Sequence, residues 1–280
     1  MPTLHEISRR RAIAAGLALM ALTRPRGTRA DQPYDDITYK SGSLSIEAYL
    51  YRPSGTGPAP LIIYNHGSRE GAEGKSVPWV RIANLFRDAG YAVLVPERRG
   101  YGKSEGVSWS DAVGHDTGKV FLDRCHDESD DVLAAAAYAA GLSFVDRSRI
   151  GIVGWSLGGI VTLLAVSRSA AFKAAVVQAS GALTWRHSTP LQSTLVDAAR
   201  TAKCPVFLMD AANDAAPEDI PTLADAMQKA GLPHQMTMYP AFTPSSNPAN
   251  IAPGHLLFGP EGLSIWGHDA VAFLNAALKP

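Results

Sequence analysis

Short apolar runs, many of them β-branched, alternate along this chain with longer stretches whose apolar residues recur every three or four positions. Residues 61–64, 91–95, 149–153, 174–177 and 205–209 are such runs, bounded by turn-forming residues, and read as strands buried on both faces. Between them the helical spacing predicts helices over 77–89, 128–140, 157–167 and 217–229, the last opening on Pro217 and closing before Gly231. Ahead of this series, 37–40 and 44–51 flank Ser41-Gly42-Ser43 and read as a β-hairpin. A strand over 234–239 and a helix over 269–278 complete it. The alternation implies an α/β fold in which one mostly parallel sheet, with an antiparallel edge, carries helices on both faces. Only residues 180–203 separate one buried strand from the next, room for a short helix or two but not for an independent core, so no large cap domain is expected. No internal repeat or linker interrupts residues 31–280, which read as one domain.

The first thirty residues break the pattern. Ser8-Arg9-Arg10-Arg11 precede an uncharged, mostly apolar run from Ala12 to Leu22 and an exit ending in Thr28-Arg29-Ala30, the order of a secretory signal. The run is shorter than the roughly 20 residues a spanning helix needs. A cleavable export signal over residues 1–30 is therefore expected, with no membrane anchor after its removal and a periplasmic or secreted destination. The paired arginines resemble the twin-arginine class, although Ala12 stands where that class has a larger apolar residue and Arg24, Arg26 and Arg29 make the exit basic. Charge draws the same boundary. The chain has 26 basic and 26 acidic residues; six Arg and one Glu fall in residues 1–30, leaving 20 basic and 25 acidic side chains beyond. That remainder lacks the footprint of a nucleic-acid binder. Cys125 and Cys204 are too few for a disulfide framework; a bridge between them is open, but Cys204 reads more simply as a small buried residue.

The sharpest chemical signal is Gly154-Trp155-Ser156-Leu157-Gly158-Gly159, directly after the strand over 149–153 and before an apolar helix. A G-x-S-x-G turn in that position holds its serine in a strained conformation at the sheet edge, with the helix N-terminus beneath it to favour a developing oxyanion. A serine hydroxyl needs a base, and the base a carboxylate to orient it. Asp214, in the loop after the strand over 205–209, is the candidate acid, with Asp210 at the strand's end as its rival. His255, after Gly254 and ahead of the last helix, is the candidate base, with His268 as competitor. Two backbone N–H groups complete the set: that of Leu157, and that of Ser68 in the turn Tyr64-Asn65-His66-Gly67-Ser68, where His66 reads as structural. Trp155 and Trp185 are candidates to line an apolar substrate pocket.

Together these residues resemble the α/β-hydrolase superfamily, and more narrowly its dienelactone-hydrolase-like branch. The resemblance runs through almost all of residues 31–280: His66-Gly67 after one strand, Arg99-Gly100-Tyr101-Gly102-Lys103-Ser104 after the next, the Ser156 elbow, the Asp214 loop, and Gly254-His255 followed by Phe258-Gly259-Pro260 and Trp266. It implies the α/β-hydrolase fold, no cofactor, and a small-molecule ester as substrate, cleaved through an acyl-enzyme. Dienelactone hydrolases use a cysteine where this chain has Ser156, so their lactone substrate is not implied. The Arg-Gly-Tyr-Gly-x-Ser stretch also looks like that of prolyl-oligopeptidase-type serine peptidases, and Glu70, Glu73 and Glu97 keep an aminopeptidase-like reading open. A noncatalytic binding protein on the same fold is the third reading.

Other signals are weaker. Gly102-Lys103-Ser104 lacks the leading glycine of a phosphate loop. His115, Asp116, Asp123, His126 and Asp127 cluster without a close ligand pair on one helical face, and read as a polar loop. Arg98 and Arg99 could hold a substrate carboxylate but more simply tie loops together. The loop over 241–254, ending at His255, is expected on the rim of the site.

Overall fold

A hairpin opens the structure. β1 (Asp35–Ser41) and β2 (Leu44–Tyr51) pair antiparallel from Asp35↔Leu50 to Ser41↔Leu44 around Gly42, whose φ of 55° a two-residue turn requires. The computed structural model describes residues 32–181 and 183–279; the expected export signal lies outside them. β3 (Ala59–Asn65), β4 (Ala92–Pro96), β5 (Val145–Trp155), β6 (Ala174–Gln178), β7 (Val206–Ala211) and β8 (His234–Tyr239) extend the sheet in the order β1-β2-β4-β3-β5-β6-β7-β8. β2 meets β4 antiparallel, and every pairing from β4 to β8 is parallel.

Every residue of β3, β4, β6 and β7 is buried, and their side chains divide by parity between two cores. Leu61, Ile63 and Leu94 face one core with α3 (Lys119–Ala140), α4 (Leu157–Arg168), α5 (Thr189–Arg200) and α6 (Asp219–Lys229). Ile62, Tyr64, Val93 and Val95 face the other, with α1 (Val80–Asp88) and α7 (Leu263–Leu278). This is the expected arrangement: a mostly parallel sheet with helices on both faces. The segment between β6 and β7 holds one 3-10 turn, Trp185–His187, and α5, with no cap domain.

Three elements depart from the sequence pattern. α3 starts at Lys119, nine residues earlier than its apolar spacing suggests, because its buried face carries Arg124, Glu128 and Asp131 as well as Phe121, Cys125 and Val132. Asp123, His126 and Asp127 therefore lie on a helix rather than in a polar loop. α7 begins at Leu263 instead of 269, and a five-residue helix, α2 (Trp109–Val113), has Ser108 as its cap, accepting from the Asp111 N–H. α5 likewise begins at a cap, Ser188, which accepts from the Leu191 N–H at 3.2 Å.

The polar residues buried on α3 anchor the loops at the sheet's C-terminal edge. Arg98, just after β4 and wholly buried, donates from Nε to Glu128 at 2.6 Å and from Nη2 to the His66 carbonyl at 2.9 Å. Arg124 donates to the other oxygen of Glu128 at 2.8 Å and to the Arg99 and Val107 carbonyls, while Arg99 forks onto Asp131. Both arginines after β4 thus tie loops to α3. Removing one partner of such a group strands a buried charge. Arg98→Met is expected to lower the unfolding free energy by about 3 kcal/mol, read from the midpoint of urea denaturation; a loss under about 1 kcal/mol, the value of a surface pair, would show that Arg98 anchors nothing.

Candidate active site

The turn from β5 into α4 is built by contacts that leave no room for side chains. A Cβ on Gly154 would overlap the Gly158 carbonyl, and one on Gly158 would overlap the Asn65 and His66 carbonyls at the end of β3. The helix therefore starts directly against the neighbouring strand, where Asn65 Nδ2 also donates to Thr162 Oγ1 at 2.9 Å. Ser156 sits between them at φ 58°, ψ −124°, a conformation that costs a non-glycine residue about 1–3 kcal/mol. Its N–H donates to Gln178 O at 2.9 Å, and its carbonyl accepts from Gly159 and Ile160.

Ser156 Oγ lies 2.8 Å from His255 Nε2, and His255 Nδ1 lies 2.9 Å from Asp214 Oδ2. With the carboxylate accepting at Nδ1, that nitrogen carries the proton and Nε2 is free to accept from the serine hydroxyl. His255 belongs to the 3-10 turn Pro253–Phe258 and is 2% exposed. Gly254 lets this turn lie on the acid loop, since a Cβ there would meet Asp214 N at 2.6 Å. Trp155 Nε1 donates to the His255 carbonyl at 2.9 Å, joining the elbow to the histidine turn. Asp214 Oδ1 accepts the Ala215 N–H at 2.6 Å. The two rivals stand elsewhere: His268 is exposed on α7, and Asp210, wholly buried, makes no bond to His255.

Two clefts meet at Ser156. One, of about 310 Å³, runs between Trp109, Phe121, Ile160 and Leu183, with His115 and Asp116 at its wall. The other, of about 520 Å³, passes Trp155, His255, Arg69 and Ile251. Ser68 and Glu70 border both. Neither the Ser68 N–H nor the Leu157 N–H donates to any group among the described residues, and the Gly67 backbone lies tight against Ser156. Ala249 and Ile251 bring the loop before His255 onto the rim, as its position in the sequence suggests. Trp155 lines the second cleft. Trp185 does not line either: it is 5% exposed and packs into the core beneath Gly181, which a Cβ would push into its ring. Trp109, Phe121 and Leu183 take the place expected of it. No sequence signal marked them, because the short helix α2 that carries Trp109, the first turn of α3 that carries Phe121 and the loop that carries Leu183 show no apolar spacing.

The remaining candidates are structural. His66 is buried between the Trp79 and Tyr101 rings, and burial, with Arg98 and Arg69 beside it, holds its pKa well below the usual histidine value. Glu97 pairs with Arg69 and accepts the Val77 N–H at 2.6 Å, and Glu73 accepts the Ser110 N–H at 3.0 Å, leaving only Glu70 of the three without a partner among the described residues. Cys125 and Cys204 are free and buried; burial raises the Cys204 thiol to about 12. Among the described residues, no group of three His, Cys, Asp or Glu side chains could hold a metal ion, and no helix is long and apolar enough to cross a membrane.

A model of the prolyl oligopeptidase family matches residues 80–189. Over 86% of the chain, the fold superposes on 97% of a dienelactone-hydrolase-type protein from Klebsiella pneumoniae, with TM-score 0.62 and 22% identity. It superposes as well on an acylaminoacyl peptidase from Pyrococcus horikoshii, TM-score 0.67 and 18% identity, over 89% of this chain and 43% of that one. The chain has the α/β-hydrolase fold. The chain is also 32% identical over 124 residues, 44% of its length, to the quorum-quenching protein AidA of Acinetobacter baumannii, and spans only 36% of that protein. Ser156 stands at the strand-to-helix elbow of that fold.

The indole bond between Trp155 and the His255 carbonyl generates a test. Trp155→Phe keeps the ring and removes the donor, so kcat is expected to fall roughly fivefold with the melting temperature within a few degrees, the consequence of about 1 kcal/mol lost at the histidine turn. Steady-state kinetics and a thermal melt read both; an unchanged kcat would show that this bond does not position His255.

Proposed function

We propose that the protein is an exported serine hydrolase that cleaves carboxylic esters through an acyl-enzyme. The hydrogen-bonded line Ser156–His255–Asp214, with the nucleophile open to two clefts, carries the proposal. In this reading Ser156 Oγ attacks the ester carbonyl as His255 Nε2 takes its proton. The tetrahedral oxyanion accepts from the Leu157 and Ser68 N–H groups, and His255 then returns the proton to the departing alkoxide. Water enters where the alcohol left, His255 deprotonates it, and the acid is released. Asp214 keeps His255 in the Nδ1–H tautomer and offsets its charge. The narrower cleft, walled by Trp109 and Phe121, takes the acyl group; the wider one, beside Trp155 and Ile251, passes the alcohol. Export rests on the basic, apolar and small-residue order of residues 1–30.

The family match at residues 80–189 favours a second reading, hydrolysis of amides or peptides. Against it, Glu73 and Glu97 are committed to Ser110 and Arg69 and are not offered as a pair to a peptide ammonium group. An amide also demands that His255 protonate a poor leaving group on departure, a step worth a hundredfold or more in rate.

An organophosphorus reagent is expected to label the wild type and not Ser156→Ala; equal labelling of the two would remove Ser156 from the mechanism. On an ester and an anilide sharing one acyl group, kcat/KM is expected to favour the ester by about a hundredfold, and comparable values would decide for the amidase.

A further inference from the structure

Six carboxylate oxygens gather behind His255, and one of them has no N–H to accept. Asp214 uses Oδ1 on Ala215 N–H and Oδ2 on His255. Asp219, the first residue of α6 and wholly buried, accepts from the Ile220 N–H at 2.5 Å and from the Gly181 N–H at 2.7 Å. Asp210, near the end of β7 and also wholly buried, accepts the Ala211 N–H at Oδ1, 2.7 Å; its Oδ2 faces no donor. Yet the Asp210 side chain stands against those of Asp214 and Asp219, and its orphaned oxygen is buried with them. Two carboxyl groups bond to one another only through a proton, and two buried like charges in contact do not both ionise. Five oxygens already accept an N–H, so the proton belongs on the sixth.

We propose that Asp210 is a positioning residue: a neutral carboxylic acid whose Oδ2–H donates to the Asp214 carboxylate and fixes it to receive the His255 Nδ1–H. Its influence on turnover rests on the Ser156–His255–Asp214 reading; its protonation state does not. The charged groups that act most strongly on Asp210 are Asp214 from the loop after β7 and Asp219 from α6, both acidic. Burial first, then those two charges, pushes the Asp210 carboxyl up to about 10. Asp219 is raised to about 7, burial again leading, less far than Asp210. An unfolded aspartate ionises near pH 4. Across the window from about 4 to about 10 the folded chain therefore holds on Asp210 a proton that the unfolded chain has lost, and this group's contribution to stability declines as pH rises, levelling off above the folded-state value.

The test uses the whole chain labelled with carboxyl-¹³C aspartate and followed by NMR from about pH 8 to about pH 11, around the raised value. One aspartate resonance is expected in the protonated position at pH 8, titrating near pH 10 and missing from Asp210→Asn; the absence of a protonated aspartate, or its persistence in that variant, overturns the proposal. Activity supplies the second readout. Asp210→Ala is expected to lose about tenfold in kcat with KM little changed, because Asp214 loses a buried donor. Asp210→Asn, which keeps an N–H donor at that position, is expected to restore most of this loss and to hold its rate through pH 10, where the wild type declines. Equal losses in the two variants, each shown folded by its thermal melt, would overturn the donor role. Were Ser156→Ala to remain active, the triad reading would fail while the carboxyl titration stood on its own.

Discussion

The rest of the site depends on the absence of side chains at two points. Because Gly158 has no Cβ, the first turn of α4 rests on the carbonyls of Asn65 and His66, and because Gly154 has none, β5 can fold back beneath that turn. The backbone-to-backbone approach sets the distance between the strained serine and the turn after β3. Side chains adjust by rotating; two backbones in van der Waals contact do not. The strain at Ser156 is held by this packing and by the Gln178 carbonyl, which is how a φ of 58° persists in a non-glycine residue.

A second layer keeps the loops around that contact from relaxing. The His66 carbonyl lies under Gly158 on one side and accepts from Arg98 on the other, and Arg98 is fixed through Glu128 to Arg124 on α3. Burying such charges does not make the fold more stable than an apolar core would. What it supplies is direction: each guanidinium joins two loops at set angles, so the turn after β3 and the turn after β4 are placed with respect to a helix instead of floating on the sheet edge.

The strands were legible in the sequence because apolar runs of four or five residues between turns have few other uses, and the elbow because its glycines and serine fall between a strand and a helix. Asp214 and His255 followed from their order along the chain, and the structure brings both to Ser156. What was hidden has a common cause. α3 looked too short because a buried face bearing Arg124, Glu128 and Asp131 has the polarity of a surface, and hydropathy cannot distinguish a charge paired in the core from one in water. Trp185 looked like a pocket residue, and Trp109 and Leu183 did not, because the facing of a residue in a short turn or single helical turn depends on what that segment crosses. Asp210 looked like a rival for the acid role; that it stands behind Asp214 became visible only with three carboxyls in one place.

Two openings at one nucleophile have a kinetic consequence. In the proposed reaction the acyl group remains in the cleft of Trp109 and Phe121 while the alcohol leaves by the other, so the acyl-enzyme faces an empty channel of about 520 Å³. Nothing in that geometry distinguishes water from a second small alcohol except concentration and fit against Trp155 and Ile251. The fate of the intermediate is therefore a partition between acceptors, and an enzyme built to hydrolyse becomes a transferase wherever another hydroxyl outcompetes water in that channel.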